Sequence, residues 1–97
     1  MHYSEHCKRT KKFLGEEFSY VHEWLDEFFG HPDYRTRHRK LRHHRRGIEE
    51  IRVKWGDQAA RAATLHILDD LRNSEDKTLE ESALPRDEED FVRRGYW

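Results

Sequence analysis

Apolar residues recur with a helical period through the most basic stretch of the chain, which runs from Pro32 to Trp55. Leu41, Ile48 and Ile51 lie seven and three residues apart, as they would on one face of an α-helix. The apolar residues of the other segments also repeat about every 3.6 residues rather than every two. We therefore predict an all-α fold, with one continuous helix from Pro32 to Trp55.

Glycine and proline residues divide the rest of the chain into further helical segments. We expect helices over about 4–14 and 16–29, an alanine-rich helix that begins at Asp57, and a short last helix that begins at Pro85. The predicted architecture is a compact bundle of four main helices plus the short C-terminal helix.

The length of 97 residues is typical of one domain, so we predict a single helical domain over residues 1–97. The chain is 40% charged and only 34% hydrophobic, which borders on the composition of disordered proteins, but its net charge of −1 and its 12% of aromatic residues favour folding. We expect mobility in about the first three residues and in the linker 73–84. The C-terminal Tyr96 and Trp97 should pack against the fold.

The sequence lacks the marks of an exported or membrane protein. Its single cysteine, Cys7, cannot form an intrachain disulfide, and no apolar run approaches the ~18 residues of a membrane span. The N-terminal segment has no signal-peptide hydrophobic region. These observations predict a soluble, cytoplasmic protein that does not contact a membrane.

The predicted central helix carries three histidines that point in different directions. A projection at about 100° per residue places His44 on the apolar stripe, His38 at its edge and His43 on the opposite side. An imidazole that faces the core needs hydrogen-bond partners or a metal ion, because a buried polar group without a partner is costly. We therefore expect a metal site or a polar site inside the domain.

Two other segments each contain a histidine that is followed four residues later by an aspartate. His22 precedes Asp26, and His66 precedes Asp70. At this spacing both side chains of a pair share one helical face, and projection places each pair at the rim of an apolar face. If the three helices pack together, the imidazoles of His22, His44 and His66 converge.

We predict a divalent-metal site to which separate helices contribute ligands. Neutral imidazoles and carboxylates suit zinc, iron or manganese. An open coordination position would support metal-assisted hydrolysis, and a closed one would make the metal structural. The alternative is a metal-free internal network of His, Asp and Arg side chains. The candidate ligands are His22, His44, His66, His38, Asp26 and Asp70, with Arg37 and His43 as neighbours that orient them.

A non-enzymatic hypothesis assigns a binding role to the basic face of the central helix. Arg35–Arg46 holds seven Lys/Arg and no acidic residue, which suits nucleic acid or an acidic partner. The segment Asp69–Asp90, with ten Asp/Glu, is an alternative partner within the chain. The candidate contact residues are Arg39, Lys40, Arg42 and Arg46.

Several enzyme signatures are missing. No histidine is directly followed by aspartate, which excludes the metal-dependent phosphohydrolases built on a His-Asp dyad. Neither His22 nor His66 has a glutamate three residues before it, as carboxylate-bridged di-iron bundles require, and no nucleophile elbow or glycine-rich phosphate loop occurs. His2 and His6 share a face of the first segment, but we expect these N-terminal histidines to be solvated. The sequence names no reaction.

The spaced histidines form a pattern that reads H-x-W-x-D-E from His22, R-H-R-x-L-R-H-H-x-x-G-I from Arg37 and H-x-x-x-D-L from His66. This pattern resembles a small prokaryotic and phage domain family of unknown function, over about residues 20–91. The resemblance implies that these positions belong to one motif, and it implies no activity. A strand-like insertion after the central helix in such proteins is missing here.

Overall fold

The computed structural model describes residues 2–34, 37–74 and 76–96, which form six α-helices, one 3₁₀ turn and no strand. This confirms the predicted all-α bundle. The helices are α1 (Tyr3–Leu14), α2 (Ser19–Leu25), α3 (Arg39–Arg42), α4 (Arg45–Trp55), α5 (Asp57–Ser74) and α6 (Glu88–Arg93), and the 3₁₀ turn is Glu81–Ala83.

Helix α5 lies at the centre of the bundle, since α1, α2 and α4 all pack against it. Alanines occupy its first half, where the small buried side chains of Ala59, Ala60, Ala62 and Ala63 allow neighbouring helices to approach closely. The larger fully buried apolar side chains of the core are Val21, Leu25, Ile51, Ile67, Leu71, Leu84 and Phe91.

Helix α2 is shorter than the predicted segment 16–29. It begins after Phe18, whose backbone has the left-handed φ of 53°, and it ends at Leu25. Asp26 caps its C-terminus, and residues 26–30 continue as turns. Asp26 therefore lies at the point where the chain leaves α2.

The predicted single helix from Pro32 to Trp55 is wrong. Residues 32–34 form a turn, and the chain breaks at His43 and His44, between α3 and α4. His44 has an extended backbone with φ −155° and ψ 175°, and its Nδ1 accepts a hydrogen bond from the Gly47 N–H at 3.2 Å. The imidazole therefore caps α4 in the way that Asn or Ser side chains usually do.

Gly47 makes the reversal between α3 and α4 possible. It is buried in the first turn of α4, and a Cβ at this position would overlap the backbone carbonyl of Arg42 at the end of α3. Only a residue without a side chain lets the two backbones approach so closely.

Residues 85 and 86, which follow the 3₁₀ turn, accept hydrogen bonds from the first residues of α4. The N–H of Arg45 donates to the Pro85 carbonyl at 2.9 Å, and the N–H of Arg46 donates to the Arg86 carbonyl at 3.0 Å. These bonds satisfy donors that the first turn of a helix leaves free.

Helix α6 begins later than the predicted Pro85. The Asp87 side chain caps it by accepting from the Asp90 N–H at 2.9 Å. The Tyr96 ring packs against Phe91 with ring centroids 5.6 Å apart, as expected for the C-terminal aromatics.

Some predictions are not tested. Leu79 and Leu84 of the predicted linker are buried, but the single domain and the mobile segments stay predictions. Within the described residues, no helix combines the length and apolar character that crossing a membrane requires. Predictions that involve Met1, Arg35, Glu75 and Trp97 lie outside the described residues.

Candidate metal centre

A cluster of imidazoles and carboxylates is buried where α1, α2 and α5 meet the break between α3 and α4. Groups of its side chains place nitrogen and oxygen atoms within 4.8 Å of one another, as metal ligands are placed. This His/Asp cluster consists of His6, His22, His38, His43, His66, Asp26 and Asp70.

Three helices supply most of the His/Asp cluster. His6 projects from α1, His22 from α2, and His66 and Asp70 from adjacent turns of α5. The rings of His6 and His66 stack with centroids 3.7 Å apart and planes 9° apart. Asp26 enters from the C-terminus of α2.

The Nε2 atom of His66 lies between the two carboxylates. It is 3.1 Å from Asp70 Oδ2 and 3.3 Å from Asp26 Oδ2. Neither contact has hydrogen-bond geometry, so this buried nitrogen has no hydrogen-bond partner within the described parts of the chain. It is close to two anions without being bonded to either.

A chain of hydrogen bonds places a proton on Nδ1 of His66. His22 Nε2 lies 3.1 Å from the Glu17 carbonyl and 3.1 Å from the Thr10 hydroxyl. A carbonyl can only accept, and the Thr10 hydroxyl has backbone carbonyls to which it donates, so His22 carries its proton on Nε2 and donates it to Glu17. His22 Nδ1 is then an acceptor, and at 2.8 Å it receives a hydrogen bond from His66 Nδ1. A neutral His66 therefore presents the bare lone pair of Nε2 to Asp26 and Asp70.

The remaining imidazoles are bonded to the carboxylates. His38 Nε2 is 2.8 Å from Asp26 Oδ1, and His43 Nε2 is 3.0 Å from Asp70 Oδ2 and 3.5 Å from Asp26 Oδ1. His6 Nε2 is 3.1 Å from Asp70 Oδ1. Every histidine of the cluster except His22 thus contacts a carboxylate.

Both carboxylates are strongly acidic in this environment. Burial raises the pKa of Asp70, but the imidazoles of His43, His6 and His66 outweigh burial and hold the pKa well below its ordinary value. Burial likewise raises the pKa of Asp26, and His38 and His66 outweigh it and lower the pKa. The cluster therefore contains two buried or half-buried anions at neutral pH.

The histidines differ in their charge preference. Burial, together with the neighbouring His66 and His6, lowers the pKa of His22 to about 4. Burial also lowers the pKa of His43 to about 4, despite its bond to Asp70. Burial lowers the pKa of His66 too, but there the two carboxylates outweigh it and raise the pKa. The two carboxylates thus favour a positive charge in the space beside His66 Nε2.

A cleft of about 760 Å³ adjoins the His/Asp cluster. The side chain of Asp26 is 29% exposed, so the cluster is not sealed from solvent. Besides members of the cluster, the cleft is lined by His2, Tyr3, Glu5, Glu23, Phe29 and Arg39. A small molecule can therefore approach the carboxylates.

Five of the six predicted ligands come together in the cluster: His22, His38, His66, Asp26 and Asp70. His44 is not among them, because its Nδ1 caps α4 and its Nε2 lies 3.1 Å from the Leu41 carbonyl. His44 is buried, as its projection onto the apolar stripe predicted, but the break before α4 makes its imidazole the cap of that helix and leaves it out of the cluster.

Two histidines that were expected outside the core are buried in the cluster. His43, projected away from the apolar stripe, is fully buried within the cluster. His6, expected to be solvated, is 1% exposed and contacts Asp70. His6 and Thr10, four residues apart, share the buried face of α1, and this spacing could have indicated that His6 is buried. The position of His6 near the N-terminus instead favoured the prediction of a solvated side chain.

The basic face is partly used inside the protein. Arg39 lies 3.4 Å from Asp70 and donates to Ser74, so it shields the cluster. The guanidinium carbon of Arg42 lies 4.0 Å from the centroid of the Trp24 ring. Lys40 lies over the Tyr34 ring at 6.0 Å, and Arg37 and Arg46 are exposed.

Comparison with known proteins identifies a family but no activity. No curated protein and no solved structure matches the sequence. The model of a domain of unknown function, DUF6915, matches residues 1–82, a stretch that includes the whole His/Asp cluster. An uncharacterised family was expected from the sequence, while its prokaryotic and phage distribution and its motif stay predictions. The chain belongs to the DUF6915 family of domains of unknown function.

Proposed function

We propose that this protein binds a divalent transition-metal ion, zinc, iron or manganese, through His66, Asp26, Asp70 and His6. The observation that carries the proposal is the His66 Nε2 atom, which is buried, lacks a hydrogen-bond partner among the described residues and lies beside two carboxylate oxygens. A cation between these three atoms would satisfy all of them.

The distances between the donor atoms support this proposal. Ligands bonded at about 2.1 Å to one tetrahedral or octahedral ion lie about 3.0–3.4 Å from one another. His66 Nε2 is 3.1 and 3.3 Å from the oxygens of Asp70 and Asp26, and His6 Nε2 is 3.1 Å from Asp70. The side chains therefore need little rearrangement to coordinate an ion.

The hydrogen bonds around His66 have the form that supports a metal ligand. A metal-bound imidazole usually donates its second N–H to a fixed acceptor, which sets its tautomer and orientation. His66 donates to His22, and His22 in turn donates to the Glu17 carbonyl. In the metal-free alternative, His66 carries a second proton at Nε2 instead, so a metal ion and a proton compete for one position.

The reaction class that suits such a centre is hydrolysis. A divalent ion in this position acts as a Lewis acid, and hydrolysis requires no reactant besides water and the substrate. The cleft beside Asp26 and Arg39 gives a substrate access to the carboxylates. A closed coordination shell would instead make the ion structural.

Metal analysis of the untagged protein tests the proposal. We expect zinc, iron or manganese at one or more ions per chain in the wild type, and a clear loss in His66→Ala and Asp70→Asn. His44→Asn is the matched control, because it removes a buried imidazole outside the cluster and keeps an N-cap acceptor. A folded wild-type protein that takes up none of these metals would overturn the proposal.

The proposed hydrolytic activity is tested separately from metal binding. Chromogenic phosphate and carboxylate esters should be cleaved by the metal-loaded protein, and a chelator should abolish this cleavage until metal is restored. A metal-loaded protein that cleaves none of them would leave a structural metal site and remove the hydrolase.

Nucleic-acid binding through Arg39, Lys40, Arg42 and Arg46 is less well supported. The contacts of Arg39 with Asp70 and of Arg42 with Trp24 already occupy two of the four side chains. Phosphate binding would show as retention on a mixed DNA or RNA pool that falls steeply with salt.

A further inference from the structure

We infer that the His/Asp cluster holds a second divalent ion, bound by Asp26, His38 and His43, so that Asp26 bridges a dinuclear centre. This inference rests on the proposed function, because it adds a second position to the same cluster.

The two oxygens of Asp26 face different imidazoles. Oδ2 lies 3.3 Å from His66 Nε2, on the side of the first position. Oδ1 lies 2.8 Å from His38 Nε2 and 3.5 Å from His43 Nε2. A carboxylate with one oxygen directed to each set of nitrogens has the arrangement of a bridging ligand.

The second set of donors is as buried as the first. His38 is 5% exposed and His43 is fully buried, and their nitrogens lie with an Asp26 oxygen within 4.8 Å of one another. The break between α3 and α4 creates this set, because it turns His43 inward.

Asp70 also lies between the two positions. Its Oδ2 is 3.1 Å from His66 Nε2 and 3.0 Å from His43 Nε2. Two carboxylates placed between two groups of imidazoles fit paired metal ions, which in hydrolytic centres lie about 3.5–4 Å apart.

The charge balance indicates what a dinuclear centre would attract. Two divalent ions exceed the charge of Asp26 and Asp70 by two, while the imidazoles are neutral when they bind metal. In the wall of the cleft, Arg39, 3.4 Å from Asp70, adds one positive charge and Glu5 and Glu23 add two negative charges, so a positive surplus of about one charge is left. An anion such as a phosphate ester is the substrate class that this surplus favours.

Manganese loading distinguishes one ion from two. We expect the wild type, loaded with Mn²⁺ and desalted, to retain two ions per chain and to give the electron paramagnetic resonance spectrum of an exchange-coupled pair. His38→Ala should retain half as much manganese and give the spectrum of an isolated ion. His44→Asn should behave as the wild type.

The possible results separate this inference from the proposed function. One ion per chain and an uncoupled spectrum in the wild type would overturn the second position and leave the first intact. A wild type that retains no manganese, and no zinc or iron when it is loaded with those metals, would overturn both. Because the count and the coupling are measured on the wild type, a His38→Ala chain that fails to fold does not prevent the decision.

Discussion

His22 contributes to the cluster through another residue. Its Nε2 is held by the Glu17 carbonyl, and its Nδ1 accepts from His66 at 2.8 Å. Removal of this acceptor leaves all the carboxylates in place but frees the His66 ring to rotate and to change its tautomer. His22 is therefore expected to set the strength of metal binding rather than the number of ions bound.

Substitution of His22 tests this positioning role. We expect His22→Gln to weaken metal binding by about 10- to 100-fold, with the wild-type number of ions retained at saturation. Competition titration against a chromophoric chelator measures both quantities. His31→Ala, at an exposed site near Asp33, is the control and should not change affinity. Unchanged affinity in His22→Gln would contradict the role, and loss of a bound ion would make His22 a ligand.

For single helices, the sequence predicts which side chains meet within one uninterrupted helix, but it does not predict side-chain positions beyond a break in the helix. The pair His66 and Asp70 meets as its spacing predicts, because both residues lie on the uninterrupted α5. His43 was projected away from the apolar face although it is buried, and His44 was assigned as a ligand although it caps α4, because a projection assumes that the helix continues. The break depends on an imidazole acting as a helix cap, a role that cap preferences do not predict.

Helix α6 depends on one carboxylate that is 2% exposed, Asp90. The carboxylate accepts from the Arg86 N–H at 2.9 Å and pairs with the guanidinium groups of Arg93 at 2.6 Å and Arg94 at 3.1 Å. The backbone N–H of Asp90 donates to the Asp87 side chain. The bond from the Arg86 backbone, followed by the bond from Arg93, lowers the pKa of Asp90 below its ordinary value of 3.8. Asp90 thereby fixes the segment whose carbonyls cap α4.

The pH dependence of stability follows from the direction of this shift. A carboxyl group with a lowered pKa in the folded state stabilises fully above its ordinary pKa of 3.8 and loses that contribution as the pH falls below it. We expect Asp90→Asn to be less stable than the wild type at pH 6, with the difference shrinking toward pH 3. Urea unfolding at several pH values measures it.

The control for this prediction is Asp76→Asn. Asp76 is another carboxylate with a lowered pKa, but its side chain accepts from the backbone N–H and the hydroxyl of Thr78, two residues away in an exposed loop. We expect a smaller loss at pH 6 than for Asp90→Asn. A difference between Asp90→Asn and the wild type that stays constant down to pH 3 would show that the ionised carboxylate is not the source of the stability.

For the whole molecule, the position of the His/Asp cluster would link the proposed metal binding to folding. The cluster joins α1, α2, α5 and the break before α4, which are distant in sequence and come together only in the folded chain. The unfolded chain cannot present the same set of ligands, so an ion that binds the folded state stabilises it. A chain with a thin core and 40% charged residues would gain much stability from such a link.

Thermal unfolding with and without metal tests the link. At a free metal concentration of about 100 times Kd, binding adds about 2.7 kcal/mol, which corresponds to a rise in Tm of roughly 10–20 °C for a domain of this size. We expect that rise for the wild type and for His44→Asn, and a much smaller one for Asp70→Asn. A wild-type Tm that is the same in chelator and in excess metal would mean that the cluster holds α1, α2 and α5 together by hydrogen bonds alone, with the proton of His66 in the place of the ion.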